Sequence, residues 1–451
     1  MTPEPPLSRK IARRALRLEF RDLPPEVTAK VKTALFDMLS CAFEARDLPW
    51  GSQAIRLAAR SSGSAAVIGT AIRSAAGDAA FANATLAHGL VREDMHPAAV
   101  SHLGVVIFPA LLALAADHEA SGRDFAVAAV CGYEAGASVG RALMDQDLVR
   151  RFRPTGITGP LAAAMAGSRL LGLSEDQAVS ALGLAANTTA GLNEWPYSGG
   201  DEMFFHPGFA ARNAVTAVEL AAWGAVASET ALDGRSGLFA GLNRAERAAA
   251  VAPFSGAFEI LSVYHKPAPA CNYAQTACQA ALALALDEQP GSQDIRAVVV
   301  KAPAAAVSYP GCNFAGPFER ILQAKMSIQY AVAAALARRS LAEANYRLLT
   351  DPEIVRLAER TTLEVDPVLT AAYPGAQGAE VVVTLNGGQT LRRRLGDVVP
   401  ATPEQIRARF RTAAGKSAAA LEDVVETLER QPGLAALTAA LPDQRAERAP
   451  V

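Results

Sequence analysis

Cysteine is scarce and patternless. Cys41, Cys131, Cys271, Cys278 and Cys312 are spread through 451 residues with no CxxC pair, which argues against a disulfide framework and a structural zinc site and points to a reducing, cytoplasmic setting. An excess of one charge is also lacking. With 43 Lys plus Arg against 45 Asp plus Glu, no global field draws the chain to nucleic acid or an anionic membrane. The longest apolar run, from Leu103 to Ala116, is broken by Pro109 and falls short of the roughly 20 residues of a membrane span, so a soluble protein is expected. The opening "MTPEPPLSRKIARRALRLEF" has no apolar signal core and carries Glu4 and Glu19; it reads as a lead-in helix rather than a targeting leader. A Walker-type phosphate loop, a GxGxxG turn, a GxSxG elbow and a Cys nucleophile with a nearby His are all missing. Nucleotide, flavin and acyl-enzyme chemistry therefore lose ground.

What is present is hydrophobic and mostly helical in period. The hydrophobic share is 51%, and the length favours two domains over one. Residues 24 to 266 read as helix after helix. Val27, Val31, Leu35 and Leu39 recur every four residues behind a double proline, one stripe facing a core. Ser174 and Gln177 stand in capping-box register, and "PTGITGPLAAAMAGSRLLGL" is rich in the small residues that let helices approach closely. After Lys266 the pattern changes. "DIRAVVVKAP", "TTLEVD" and "AEVVVTLNGGQTLRRRL" read as strands, the last a hairpin around Asn386-Gly387-Gly388, with helical segments near 319–338 and 352–360 among them. Thr402, Pro403 and Gln405 then open another helix. No internal repeat is evident, and the terminal "PDQRAERAPV" is expected to fray. The fold class expected is mainly α: a large all-helical domain, a helical bundle formed by residues 1–266 and 400–451, with an inserted smaller α+β domain at 267–399.

Only six histidines occur in the chain, yet His88, His96 and His102 fall within "LAHGLVREDMHPAAVSH", beside Glu93 and Asp94. Their spacing of six to eight residues does not match a metal site. In this reading Pro97 ends one helix and the apolar run starts the next, so a histidine at that start can present a neutral imidazole, its pKa lowered by the positive helix terminus. Such a group is a general base. Arg150, Arg151 and Arg153 precede a Pro-Thr-Gly turn that leads into a helix, either a carboxylate receptor or a solvated basic turn. His265 and Lys266 sit at the expected domain boundary, where clefts form. Trp195, Tyr197 and His206 belong to a Gly-rich loop that suits a substrate-facing or a structural role equally.

Taken in order, "LAHGLVREDMHPAAVSH", "GRDFAVAAVCGYEAG", "RPTGITGPLAAAMAGSRLLGLSEDQAVSALGLAA", "HPGFAARNAV", "LDGRSGLF", "HKPAPAC" and "AKMSIQYAVAAAL" resemble the MmgE/PrpD family through nearly the whole chain. That family includes 2-methylcitrate dehydratase, cis-aconitate decarboxylase and iminodisuccinate epimerase. The resemblance implies a site between the two domains, a homodimer, no metal or organic cofactor, and removal of a proton next to a carboxylate. It carries the family's active-site histidine onto His102, its KPxP lysine onto Lys266 and a substrate-contacting tyrosine onto Tyr309. Departures stand beside these matches. Val91 and Met95 replace an aspartate and a threonine of the family motif, Met203 replaces a lysine, and Arg153 and Gln275 replace histidines.

The function expected is a lyase-type enzyme acting without a cofactor on a small di- or tricarboxylic acid. His102 is the base, oriented by Asp94 or His96. Lys266 and Arg153 hold carboxylates, Tyr309 or His265 supplies a proton, and His206 and Tyr197 are further substrate contacts. An epimerase of a dicarboxylate is the nearest alternative. A non-catalytic carboxylate-binding protein and a metal-dependent hydrolase using Asp94, His96 and His102 are the others.

Overall fold

The computed structural model describes residues 4–442; the expectation of a frayed C-terminus concerns 443–451, which lie outside them. Helices dominate. Pro25–Glu44 starts on its proline and buries Val27, Val31, Leu35 and Leu39, the stripe legible in the sequence. At Glu175–Ala186 the Ser174 hydroxyl accepts from the Gln177 amide while the Gln177 side chain accepts from the Ser174 amide, so two otherwise orphaned donors are satisfied reciprocally. Gly122–Leu143 packs closely on Pro154–Leu170. A Cβ at Gly132 would stand 3.0 Å from the Ala162 carbonyl oxygen, tighter than an ordinary packing contact.

The chain after Lys266 forms a four-stranded sheet in the order Thr361–Val365, Ile295–Ala302, Ala379–Leu385, Thr390–Leu395. The first pair is parallel and the others antiparallel. Helix Gln275–Asp287 packs against the hairpin strands, and Ile328–Arg338 packs on that helix. The returning helix Pro403–Ala414 lies against Pro25–Glu44, with the Phe410 ring 5.0 Å from that of Phe36. Arg409 of this helix donates to the carbonyls of Lys266 and Pro267, so the end of the chain braces the segment expected to carry chemistry.

Three local expectations are corrected. The region before Lys266 is not wholly helical: Ala65–Ala66 pairs with Arg73–Ser74, and Asp94–Met95 pairs antiparallel with Tyr264–His265. Pro97 does not end a helix, because Ala76–His88 stops at His88 and the next helix, Gly104–Leu114, begins after a loop. The segment near 319–338 is two helices, Ile321–Met326 and Ile328–Arg338, divided at Ser327, whose hydroxyl accepts from the Tyr330 amide. Among the described residues no helix is long and apolar enough to cross a membrane.

Candidate active site

The short pairing of Asp94 with His265 is what assembles the site. It sets the loop after His88 beside the segment that carries Lys266, two stretches about 170 residues apart in sequence. Lys325, fully buried, ties the same two stretches together: its ammonium donates to the Leu90 carbonyl (2.9 Å), the Pro269 carbonyl (3.1 Å) and the Glu343 carboxylate. At this junction His102, Arg153 and Tyr309 line one small cavity with Val91, Met95 and Met203.

Glu93 organises the chemistry. Its carboxylate lies 2.6 Å from His88 Nδ1 and 3.1 Å from His102 Nδ1. His102 Nδ1 also meets the Asp94 main-chain carbonyl at 2.8 Å. Both neighbours of that nitrogen only accept, so Nδ1 carries the proton and Nε2 keeps its lone pair. Among the described residues no hydrogen bond reaches Nε2, and the ring lines the cavity. Thr155 completes the anchoring by accepting from the His102 main-chain amide at 3.0 Å. Burial, reinforced by the Lys266 ammonium, holds His102 well below the usual imidazole range; the main cause is desolvation rather than the helix terminus inferred from sequence. Burial alone would raise the Glu93 carboxyl, but His88, Lys266 and His102 outweigh it and keep it ionised.

Arg153 and Met203 meet on one atom. His88 Nε2 accepts from the Arg153 guanidinium at 3.2 Å and lies 2.9 Å from the Met203 sulfur. The guanidinium stands 5.8 Å from the centre of the Trp195 ring, and its main-chain amide is fixed by the Gly191 carbonyl at 2.8 Å. Among the described residues Arg153 has no acidic partner. His206 packs beside Gly191 with its Nδ1 buried and unpaired, its pKa pushed down to about 3 by burial and then by Arg153 and His88. Lys266 is fully buried behind the cavity wall and donates to the Ala270 carbonyl at 3.3 Å. Burial lowers its pKa, and Glu93 opposes that shift.

The other sequence candidates are placed elsewhere. The Asp94 carboxylate accepts from the Tyr133 hydroxyl (2.6 Å) and the Gly104 amide (3.2 Å), so only its main-chain carbonyl touches His102. Its pKa is raised to about 6 by burial. His96 does not orient His102: its Nε2 faces Glu259 at 3.0 Å and its Nδ1 accepts from the Ala99 amide. His265 faces Asp37 at 2.8 Å, in the layer behind the cavity. Tyr197 is 67% exposed and outside the cavity. Gln275 braces the Pro-Ala-Pro turn through the Ala268, Ala270 and Cys271 carbonyls. The side chains of Asp94, His96 and His102, the triad of the hydrolase alternative, thus turn to three different partners, and among the described residues no group of three or more His, Cys, Asp or Glu is arranged to hold a metal ion.

Glu93 is the residue of this cluster to which the sequence reading gave no role. The signal was its place in the one histidine-rich window, but an H-x4-E spacing has no meaning until a loop folds both rings onto it. Val91 and Val100, both lining the cavity, sit at φ 59° and 51°. A β-branched residue in the left-handed region costs about 1–3 kcal/mol, strain concentrated on the two sides of the His102 loop.

A buried imidazole whose Nδ1 proton is pinned and whose ring lines a cavity, next to a guanidinium with no acidic partner among the described residues, is an arrangement able to support acid–base chemistry on an anion. The profile of the MmgE/PrpD N-terminal domain matches residues 9–249, and that of the MmgE/PrpD C-terminal domain matches residues 268–430. The chain belongs to the MmgE/PrpD family. The cis-aconitate decarboxylase-like protein oryM of Aspergillus oryzae is 34% identical over 248 residues, a match spanning 53% of this chain and 51% of that protein. The cis-aconitate decarboxylase of Aspergillus terreus is 27% identical over 458 residues, 92% of each chain.

Proposed function

We propose that this protein is a lyase-type enzyme that handles a proton next to a carboxylate of a small carboxylic acid, by decarboxylation or dehydration. The observation that carries this reading is the His102 ring, which lines the cavity with Nδ1 held by Asp94 and Glu93 and with no hydrogen bond to Nε2 among the described residues. Arg153 receives a substrate carboxylate, since its charge has no acidic partner among the described residues. Lys266, behind the wall, keeps the local potential positive as charge develops on an enolate-like intermediate. Tyr309 lines the same cavity, and burial raises its pKa, so its phenol stays protonated and can return a proton to carbon. The names of the two relatives support a decarboxylase within this class.

The test is proton NMR of the purified protein in heavy water with cis-aconitate, citrate, methylcitrate and an imino-linked dicarboxylate. Loss of carbon dioxide or water, with deuterium appearing next to a carboxylate, is the expected result. Exchange with inversion only would move the assignment to an epimerase. Thermal stabilisation by a panel member without exchange or product would favour a binding protein.

A further inference from the structure

The proposed reaction leaves a thiol of the cavity wall unused. Cys271 lines the cavity with His102 and Arg153, and its Sγ lies 3.6 Å from the Sγ of Cys312. Both cysteines are free thiols and buried. The main chain fastens them to one short stretch: the Cys271 amide donates to the Lys325 carbonyl at 2.8 Å, and the Cys312 carbonyl accepts from the Ile328 amide at 2.9 Å. The two thiols are not equivalent. A hydrogen bond from Cys312 lowers the Cys271 pKa against the effect of burial, and the Tyr273 amide, Lys266 and Arg153 add to the shift. Burial, and then Cys271, raises Cys312 well above the usual thiol range. A thiol in an electropositive setting at a cavity, beside a second one that keeps its proton, is the arrangement of a reactive cysteine and its resolving partner. Cys41, Cys131 and Cys278 differ on both counts: burial raises their pKa values, and none of them lines the cavity.

We infer that Cys271 and Cys312 form a reversible redox site, at which hydrogen peroxide entering the cavity joins the two sulfurs in a disulfide and shuts off turnover. The cavity volume, about 30 Å³, holds one or two water-sized molecules, a space that suits peroxide. The Cys271 sulfur attacks one peroxide oxygen. The S–O bond forms, the O–O bond breaks, and the departing hydroxide takes the Cys271 proton to leave as water. Cys312 then attacks the sulfur of this sulfenic acid: the S–S bond forms, the S–O bond breaks, and the oxygen leaves as water with the Cys312 proton. The thiols give up two electrons between them, and the peroxide is reduced to water. Bonding draws the sulfurs from 3.6 Å to about 2.05 Å. The Cys312 amide donates to the Tyr309 carbonyl at 3.1 Å, and Tyr309 also lines the cavity, so the contraction pulls on two parts of the wall. The loss of turnover rests on the proposed function; the modification does not.

In the test, the reduced full-length protein is treated with hydrogen peroxide in slight excess and read by intact mass and peptide mapping. The expected product has lost the mass of two hydrogen atoms, carries a Cys271–Cys312 cross-linked peptide, and keeps Cys41, Cys131 and Cys278 as thiols; dithiothreitol restores the starting mass. Peroxide that leaves Cys271 and Cys312 as thiols, or that couples either to a different cysteine, overturns the inference. In Cys312→Ala, which removes the resolving thiol, dimedone should trap Cys271 as its sulfenic acid; a variant in which Cys271 does not react counts against the inference. If Cys312→Ala does not fold, the wild-type peptide map decides alone. Turnover of the carboxylic acids in the NMR panel should fall by about tenfold or more on oxidation and return on reduction, since a misplacement of about 1 Å can cost about 10²-fold. A cross-link that leaves turnover unchanged overturns the shut-off. Reduced protein that turns over none of those acids rejects the lyase reading, and the mass result still decides the redox site.

Discussion

His102 and His265 are built alike and placed differently. Each ring is buried, and each anchors Nδ1 to acceptors supplied by other parts of the chain: Asp94 and Glu93 for His102, Asp37 for His265. Each leaves Nε2 without a hydrogen-bond partner among the described residues. The His265 nitrogen is sealed in the packed layer, while the His102 ring lines the cavity beside Arg153. The contrast teaches that a pinned proton can prepare a base, and that only a ring open to a cavity can meet a ligand. Two strand residues, paired in register, separate the outcomes.

The comparison breaks most visibly by substitution at each ring. His102→Gln is expected to lower kcat/KM by about 10²–10⁴ with little change in melting temperature. His265→Gln is expected to cost about 1–3 kcal/mol of stability, through the buried Asp37 carboxylate left short of a donor, with kcat within a few-fold of wild type. Turnover and thermal unfolding, read on both variants, decide it; equal losses of activity would erase the distinction between the two layers.

The layer behind the cavity has a pH signature of its own. Asp94 is raised to about 6 by burial, against about 3.9 in an unfolded chain. Between those values the unfolded state loses its proton first, so stability falls as pH rises through the window and levels off above it. Asp94→Asn keeps an acceptor for Tyr133 and removes this titration. Its stability relative to wild type should grow by about 2–3 kcal/mol between pH 4 and pH 7. Denaturant unfolding across that range checks the slope, and a flat difference would mean that Asp94 ionises normally. Burial holds the His102 pKa well below the usual imidazole range, so kcat/KM should show no acid limb near pH 6.5.

The smallest effect belongs to Tyr197. Tyr197→Ala should leave turnover unchanged and stability within about 0.5 kcal/mol, because the ring is exposed and away from the cavity. A large rise in KM would restore the substrate contact that its neighbourhood in the sequence suggested.

Much of this was readable one segment at a time. The four-residue stripe of Pro25–Glu44, the Ser174–Gln177 and Thr402–Gln405 caps and the Asn386-Gly387-Gly388 hairpin all appear where the pattern put them, since each depends on residues within a turn or two of one another. His102 stood out because a histidine before an apolar helix is rare in a chain with six. Val91, Met95 and Met203 were legible as departures from a family motif, but not as one wall, since 91 and 203 meet only in space. His96 and Tyr197 looked equivalent to His102 and Tyr309 on the page, for sequence proximity does not say which way a side chain turns.

The amino-acid order by itself determined the main helices, the four strands after Lys266, the hairpin and the short list of titratable residues, because propensity, capping and hydrophobic period act over a few residues. The tertiary structure alone decided that Glu93 would hold two imidazoles, that Asp94 would act through its carbonyl, that Lys266 would lie behind the wall and that His102 would face the cavity. Those outcomes follow from the Asp94–His265 register, the Lys325 clamp and the return of the Pro403–Ala414 helix. They rest on desolvation and partners brought from distant segments, quantities that exist only once the chain has packed.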